Sequence, residues 1–142
     1  MAGVSFSFFD FKSLLELSIG ISKRLDENRS ESFTILYCDF KKFEQELVTE
    51  NLYSLLRNSD SFVHCEYNYF IIMHHTDRYG ANAVHRMIEE IFAEKITSET
   101  VCYPADGETP EELLEKLHSN IHQKQNQSLD CLYNAIAKKP IS

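Results

Sequence analysis

The side chains most capable of chemistry gather in one short segment, RNSDSFVHCEYNYF, residues 57–70. It begins with Arg57 and Asp60, an arginine–carboxylate handle at the end of a strand pair. One or two arginines suffice to hold a small nucleotide by charge-assisted hydrogen bonds. The same spacing at a helix end also makes a capping pair or a surface salt bridge. A short apolar strand follows, then a turn expected over Glu66, Tyr67 and Asn68 with no glycine, then a second strand beginning at Tyr69 and Phe70. Neighbouring chemistry is weaker. His74 and His75 are adjacent on a strand, so they point to opposite faces and do not chelate together. Cys38 beside Asp39 and His64 beside Cys65 lack the spacing of a nucleophile dyad and read as packing residues. Tyr53, Tyr67, Tyr69 and Tyr79 read as packing or as an exposed contact face.

The elements that must position these residues follow from periodicity. Asp10 is expected to cap a helix running to about Arg29, with Leu14, Leu17, Ile21 and Leu25 as its buried stripe. The nearly continuous apolar run FTILYCD, residues 33–39, reads as a central strand covered on both faces. A second helix is expected from Lys41 to Asn58, with Phe43, Leu47, Leu52, Leu55 and Leu56 facing in. Phe62–Cys65 and Tyr69–His74 form the hairpin. Thr76 or Asp77 starts a third helix that buries Ala81, Val84, Ile88, Ile91 and Phe92. Residues 97–103 form a fourth strand. Thr109-Pro110-Glu111-Glu112 is a capping-box start for a helix over 109–121. Residues 128–139 add a last helix or fray. The order predicts an α+β fold with a ferredoxin-like β-α-β-β-α-β core, its helices on one sheet face, plus an N-terminal and a C-terminal helix.

Composition narrows the function. A chain of 142 residues suits one domain, 1–142, with a core over about 13–125 and a tail or short helix over 126–142. The net charge of −8 argues against DNA or RNA, which need a broad basic face. No apolar run approaches a membrane span, and the N-terminus lacks the build of a signal peptide. The four scattered cysteines suit free thiols in a reducing cytoplasm better than disulfides or zinc.

The order of elements and several motifs resemble a GGDEF domain, the diguanylate cyclase fold. LYCDFKKF (36–43) is similar to the family's first-strand motif, and R57-N-S-D60 stands before E66-Y-N-Y-F70 as the family's inhibitory Arg-x-x-Asp stands before its signature. Asp77 with Gly80-Ala81, and Y103-P-A-D-G-E-T-P-E-E-L-L114, match the approaches to the family's later helices. The N-terminal helix also matches, and the resemblance covers about residues 13–125.

The resemblance implies a site, and the departures imply that it is dead. Asp39 matches the family's metal ligand on the first strand, a vestigial position, while Lys41 stands where a second acidic residue is common. The degenerate signature reads Glu66-Tyr67-Asn68-Tyr69-Phe70, with the glycines and the acidic pair replaced. A lone Asp39 cannot hold the hard cations of phosphoryl transfer, although Glu66 could add a carboxylate near it. The segment after Phe43 is short, and SFFDFKS replaces the family's phosphate-touching N-terminal motif. What survives is Arg57 and Asp60. In the family such a pair binds cyclic di-GMP, the arginine on phosphate or the guanine Hoogsteen edge and the aspartate on the guanine N1 and N2 donors. The expectation is therefore a catalytically inactive, metal-free regulatory module in the cytoplasm, with cyclic di-GMP as candidate ligand at Arg57 and Asp60. The alternative is a pure protein-interaction or dimerisation domain of a bacterial signalling protein. Its partner would be a signalling protein, an upstream sensor or a second copy.

Overall fold

A computed structural model describes residues 3–25, 31–125, 129, 131, 132 and 136. The chain opens with strand β1 (Val4–Ser5) and a 3-10 turn (Phe8–Asp10), followed by helix α1 (Phe11–Arg24). Then come β2 (Glu31–Asp39), α2 (Gln45–Leu55), β3 (Ser61–Cys65), β4 (Asn68–His74), α3 (Arg78–Phe92), β5 (Ser98–Pro104) and α4 (Pro110–Gln125). The fold is α+β, with a five-stranded mixed sheet in the order β1-β3-β4-β2-β5. The β1–β3 pair is parallel and every other pair is antiparallel.

The helices lie on both faces of the sheet: α2 and α3, the helices between the core strands, share one face, and the added helices α1 and α4 cover the other. Alternation in β2 sends Phe33, Ile35 and Tyr37 to one side, where they pack with Phe11 and Leu15 of α1 and Leu113 and Leu117 of α4. Leu36 and Cys38 face the other side, against Val48 and Leu52 of α2 and Ala81 and Ile88 of α3. This agrees with the nearly continuous apolar run in that strand, since a strand buried on both faces needs no polar alternation.

Helix α1 buries a different stripe from the predicted one. Phe11, Leu15, Ser18, Ile19 and Ser22 face in. Leu17, Ile21 and Leu25 are 61, 42 and 57% exposed. Asp10 occupies the cap position without a side-chain hydrogen bond; Ser7, one turn earlier, accepts from the Phe9 amide at 3.2 Å. Residues 26–30, where the predicted helix would end, lie outside the described residues.

The other elements shift modestly. Helix α2 starts at Gln45, and Leu47, expected inside, is exposed. Ile91 of α3 is exposed as well. Asp77 caps α3 by accepting from the Gly80 amide at 2.8 Å. Thr109 caps α4 by accepting from the Glu112 amide at 3.2 Å. The Glu112 carboxylate reaches back to the Glu108 amide, one residue before the cap, at 2.9 Å. In the predicted final segment, Leu129 and Leu132 are buried against the α1–α4 side of the sheet; most of 128–139 lies outside the described residues.

Candidate functional site

Arg57 and Asp60 face each other across the tight turn that joins α2 to β3. The Asp60 amide donates to the Arg57 carbonyl at 2.9 Å, closing the turn. The Asp60 carboxylate is 4% exposed and accepts from three Arg57 donors. These are the backbone amide at 2.9 Å, Nε at 3.2 Å and Nη2 at 2.8 Å. Nη2 also reaches the His74 carbonyl at 3.0 Å and the Thr76 hydroxyl at 2.8 Å. The guanidinium thus ties the end of α2, the start of β3 and the β4–α3 connection together. Its hydrogen bond to Asp60 raises the arginine's pKa further.

The N-terminal strand completes the same corner. The Gly3 amide donates to the Arg57 carbonyl at 2.8 Å, and the Val4 amide to the Asp60 carbonyl at 3.0 Å. His74 Nδ1 lies 3.0 Å from the Ser59 carbonyl, which can only accept, so this nitrogen carries the proton. Its Nε2 meets the Ser18 hydroxyl of α1 at 2.9 Å. Both oxygens of Asp60 are thus committed to Arg57, whereas the Arg57 side chain is 54% exposed. It borders a groove of about 320 Å³ walled by Leu55, Met73, Val84 and Met87.

The degenerate signature sits elsewhere. The turn contains two residues, Glu66 and Tyr67, because Asn68 already pairs with Cys65 and with Asp39 as part of β4. Glu66 adopts φ of 56°, a left-handed conformation that a glycine takes more cheaply. Asn68 is buried, and its Oδ1 accepts from the Tyr37 hydroxyl at 2.7 Å. Burial, and then the Asp39 charge, push the Tyr37 phenol upward, so it stays protonated and donating. Tyr69 is fully buried, stacks on His64 at 4.6 Å between centroids, and meets Phe40 edge-on at 5.3 Å. Phe70 lies in the opposite layer against Phe11 and Tyr37.

Asp39 ends β2 and caps the residues that follow it. Its Oδ1 accepts from the Lys41 amide at 2.9 Å. The cavity beside it, about 230 Å³, is lined by Lys41, Lys42 and Lys95 as well as Phe43. Among the described residues, no three His, Cys, Asp or Glu side chains stand together as a metal-binding group. Lysine side chains supply no oxygen ligand for a hard cation, so this lining does not fit a metal centre.

Two arrangements were not foreseen from sequence. Arg78 donates to Asp106 at 2.6 Å and to the Thr100 hydroxyl at 2.9 Å, pinning the start of α3 to the β5–α4 turn. The Asp106 carboxylate also accepts from the Cys102 amide at 2.8 Å. Val4–Ser5 forms an edge strand. Only the first had a visible signal, an aspartate in the turn before a capping box. The chain matches no protein-family model and no curated protein sequence. Among the described residues no helix is long and apolar enough to cross a membrane.

Proposed function

We propose that this chain is a catalytically inactive GGDEF-like regulatory module that works by protein contact, with a second copy of itself as partner. The order β2-α2-β3-β4-α3-β5 and the strand order β3-β4-β2-β5 support a ferredoxin-like core of that family type. Asn68 hydrogen-bonded inward to Tyr37, and lysines around Asp39, support the loss of catalysis.

The observation that carries the contact reading is the outer face of α1. Leu17, Ile21 and Leu25 form an exposed stripe at helical spacing, continuous with exposed Val4 and Phe6 along a groove of about 190 Å³. A second copy that presents the same stripe buries it on both sides of a two-fold axis. Sedimentation equilibrium tests this. A dimer is expected for the native chain, and a monomer with unchanged circular dichroism for Ile21→Glu. A native chain that sediments only as a monomer overturns the proposal.

A second reading keeps cyclic di-GMP as ligand, favoured by the half-exposed Arg57 beside its groove. It requires the nucleotide to displace Asp60 from Arg57 or to use only the arginine's exposed edge. Isothermal titration with cyclic di-GMP decides it: heat that disappears in Arg57→Ala supports the receptor, and absence of heat removes it. Incubation with GTP and magnesium is expected to yield no cyclic di-GMP; product that disappears in Asp39→Ala would overturn the inactive reading.

A further inference from the structure

The Arg57 guanidinium is only partly engaged by the fold. Nε and Nη2 bind the Asp60 carboxylate, and Nη2 also reaches the His74 carbonyl and the Thr76 hydroxyl. Nη1 makes no hydrogen bond among the described residues. The oxygens around it are already matched. Both Asp60 oxygens accept from Arg57, and the Thr76 hydroxyl donates to the His74 carbonyl at 3.0 Å. The corner therefore presents one cationic nitrogen, held in place by the hydrogen bonds of the rest of its own side chain.

The groove of about 320 Å³ that Arg57 borders is otherwise walled by apolar side chains. Gly80, Val84 and Met87 stand at i, i+4 and i+7 along α3, so they share one face. Leu55 at the end of α2 and Met73 of β4 supply further walls. Methionine side chains adapt their shape to what they meet. The volume lies at the small end of the range for ligand sites, roughly 300–1,000 Å³. A peptide or a nucleotide brings several polar groups, each of which needs a partner when buried. The complementary ligand here has one anionic end and a tail without polar atoms.

We propose that this groove binds a free medium-chain aliphatic carboxylic acid, with its carboxylate on Arg57 Nη1 and its chain along Leu55, Met73, Val84 and Met87. Such an acid is ionised at neutral pH, so its hydrogen bond to the guanidinium is charge-assisted. Asp60 stays bound to Arg57 throughout. A guanine Hoogsteen edge asks an arginine fork for two donors, one to O6 and one to N7, and the groove offers one nitrogen. The groove lies on the α2–α3 side of the sheet and the α1 stripe on the other, so the acid binds whether or not the chain self-associates.

The test uses the full chain with isotope-labelled methionine methyl groups, titrated with sodium octanoate and followed by nuclear magnetic resonance. The Met73 and Met87 signals are expected to shift together, with a dissociation constant on the order of 0.1–1 mM. Helix α1 contains no methionine, so octanoate held on its stripe would leave both signals unmoved. Octanol has the chain without the charge, and acetate the charge without the chain; each should bind about tenfold more weakly or worse. Met87→Glu, at a position 47% exposed, sets a second carboxylate on the wall. It should weaken octanoate by about fivefold with unchanged circular dichroism. Unmoved Met73 and Met87 signals at saturating octanoate, octanol binding as tightly as octanoate, or full affinity in a folded Met87→Glu would each overturn the proposal. The comparison of octanoate with octanol on the native chain decides the matter even if the variant fails to fold.

Discussion

Replacing Arg57 by alanine is expected to destabilise the fold even with no ligand present. Asp60 stays buried at 4% exposure and keeps only the backbone amide of residue 57 as donor. The hydrogen bonds to the His74 carbonyl and the Thr76 hydroxyl also disappear. Hydrogen bonds to charged groups are worth roughly 1.5–3 kcal/mol. The arginine is 54% exposed, so solvent screens much of this, and the expected net loss is about 2 kcal/mol. With a urea slope of about 1–3 kcal/mol per molar, the midpoint should fall by roughly 1 M. The chain has 0 tryptophans, so far-ultraviolet circular dichroism is the suitable probe. Asp60→Ala and the double variant complete a cycle, in which the coupling should be about 1–2 kcal/mol. Arg57→Lys should not restore stability, because a single ammonium cannot match the two-pronged contact. Coupling of zero within about 0.3 kcal/mol would refute the idea that the pair latches this corner.

Three further outcomes are expected. Tyr37→Phe leaves the buried Asn68 oxygen without its phenol donor and should cost about 1–2 kcal/mol in a urea titration. Thr109→Ala removes the cap of α4 and should cost on the order of 1 kcal/mol; an unchanged midpoint would mean the cap is energetically idle. Glu111 is held below its usual carboxylate range, first by its own backbone amide and then by Lys12 at 3.0 Å. Its contribution is present above the unfolded value of about 4.3 and is lost as the pH falls through the lower folded value. The stability difference between native chain and Glu111→Gln should thus be a few tenths of a kcal/mol at neutral pH and decline as the pH falls below the unfolded value.

The order of elements was legible because apolar runs, turn residues and caps are local signals. The buried side of α1 was not. Two stripes compete there, and the one that packs includes Ser18 and Ser22, which makes it look the weaker. Ser18 is suited to the interior because its hydroxyl meets His74, a partner 56 positions away that periodicity cannot reveal. Strand β1 escaped notice because two residues carry no period, and main-chain pairing with β3 defines it. Asn68 has the composition of a turn residue, yet its partner Tyr37 on the neighbouring strand draws it into β4.

On the proposed reading, the two corners of the molecule show how an inactive module would hold its fold. At the signature turn, groups that would have to face a substrate instead satisfy one another: Tyr37 with Asn68, and Tyr69 with Phe40 and His64. At the Arg57 corner, a pair suited to gripping a ligand is turned inward, and the N-terminal strand is fastened over the same turn by the Gly3 and Val4 amides. That strand runs beside α1, whose outer stripe is the apolar surface left uncovered. The Arg57 latch therefore holds in place one wall of the proposed contact groove. Breaking it should weaken self-association as well as folding, although neither Arg57 nor Asp60 belongs to the apolar stripe. The proposed contact function rests on this coupling: residues suited to ligand chemistry turned inward, and an apolar surface that they support.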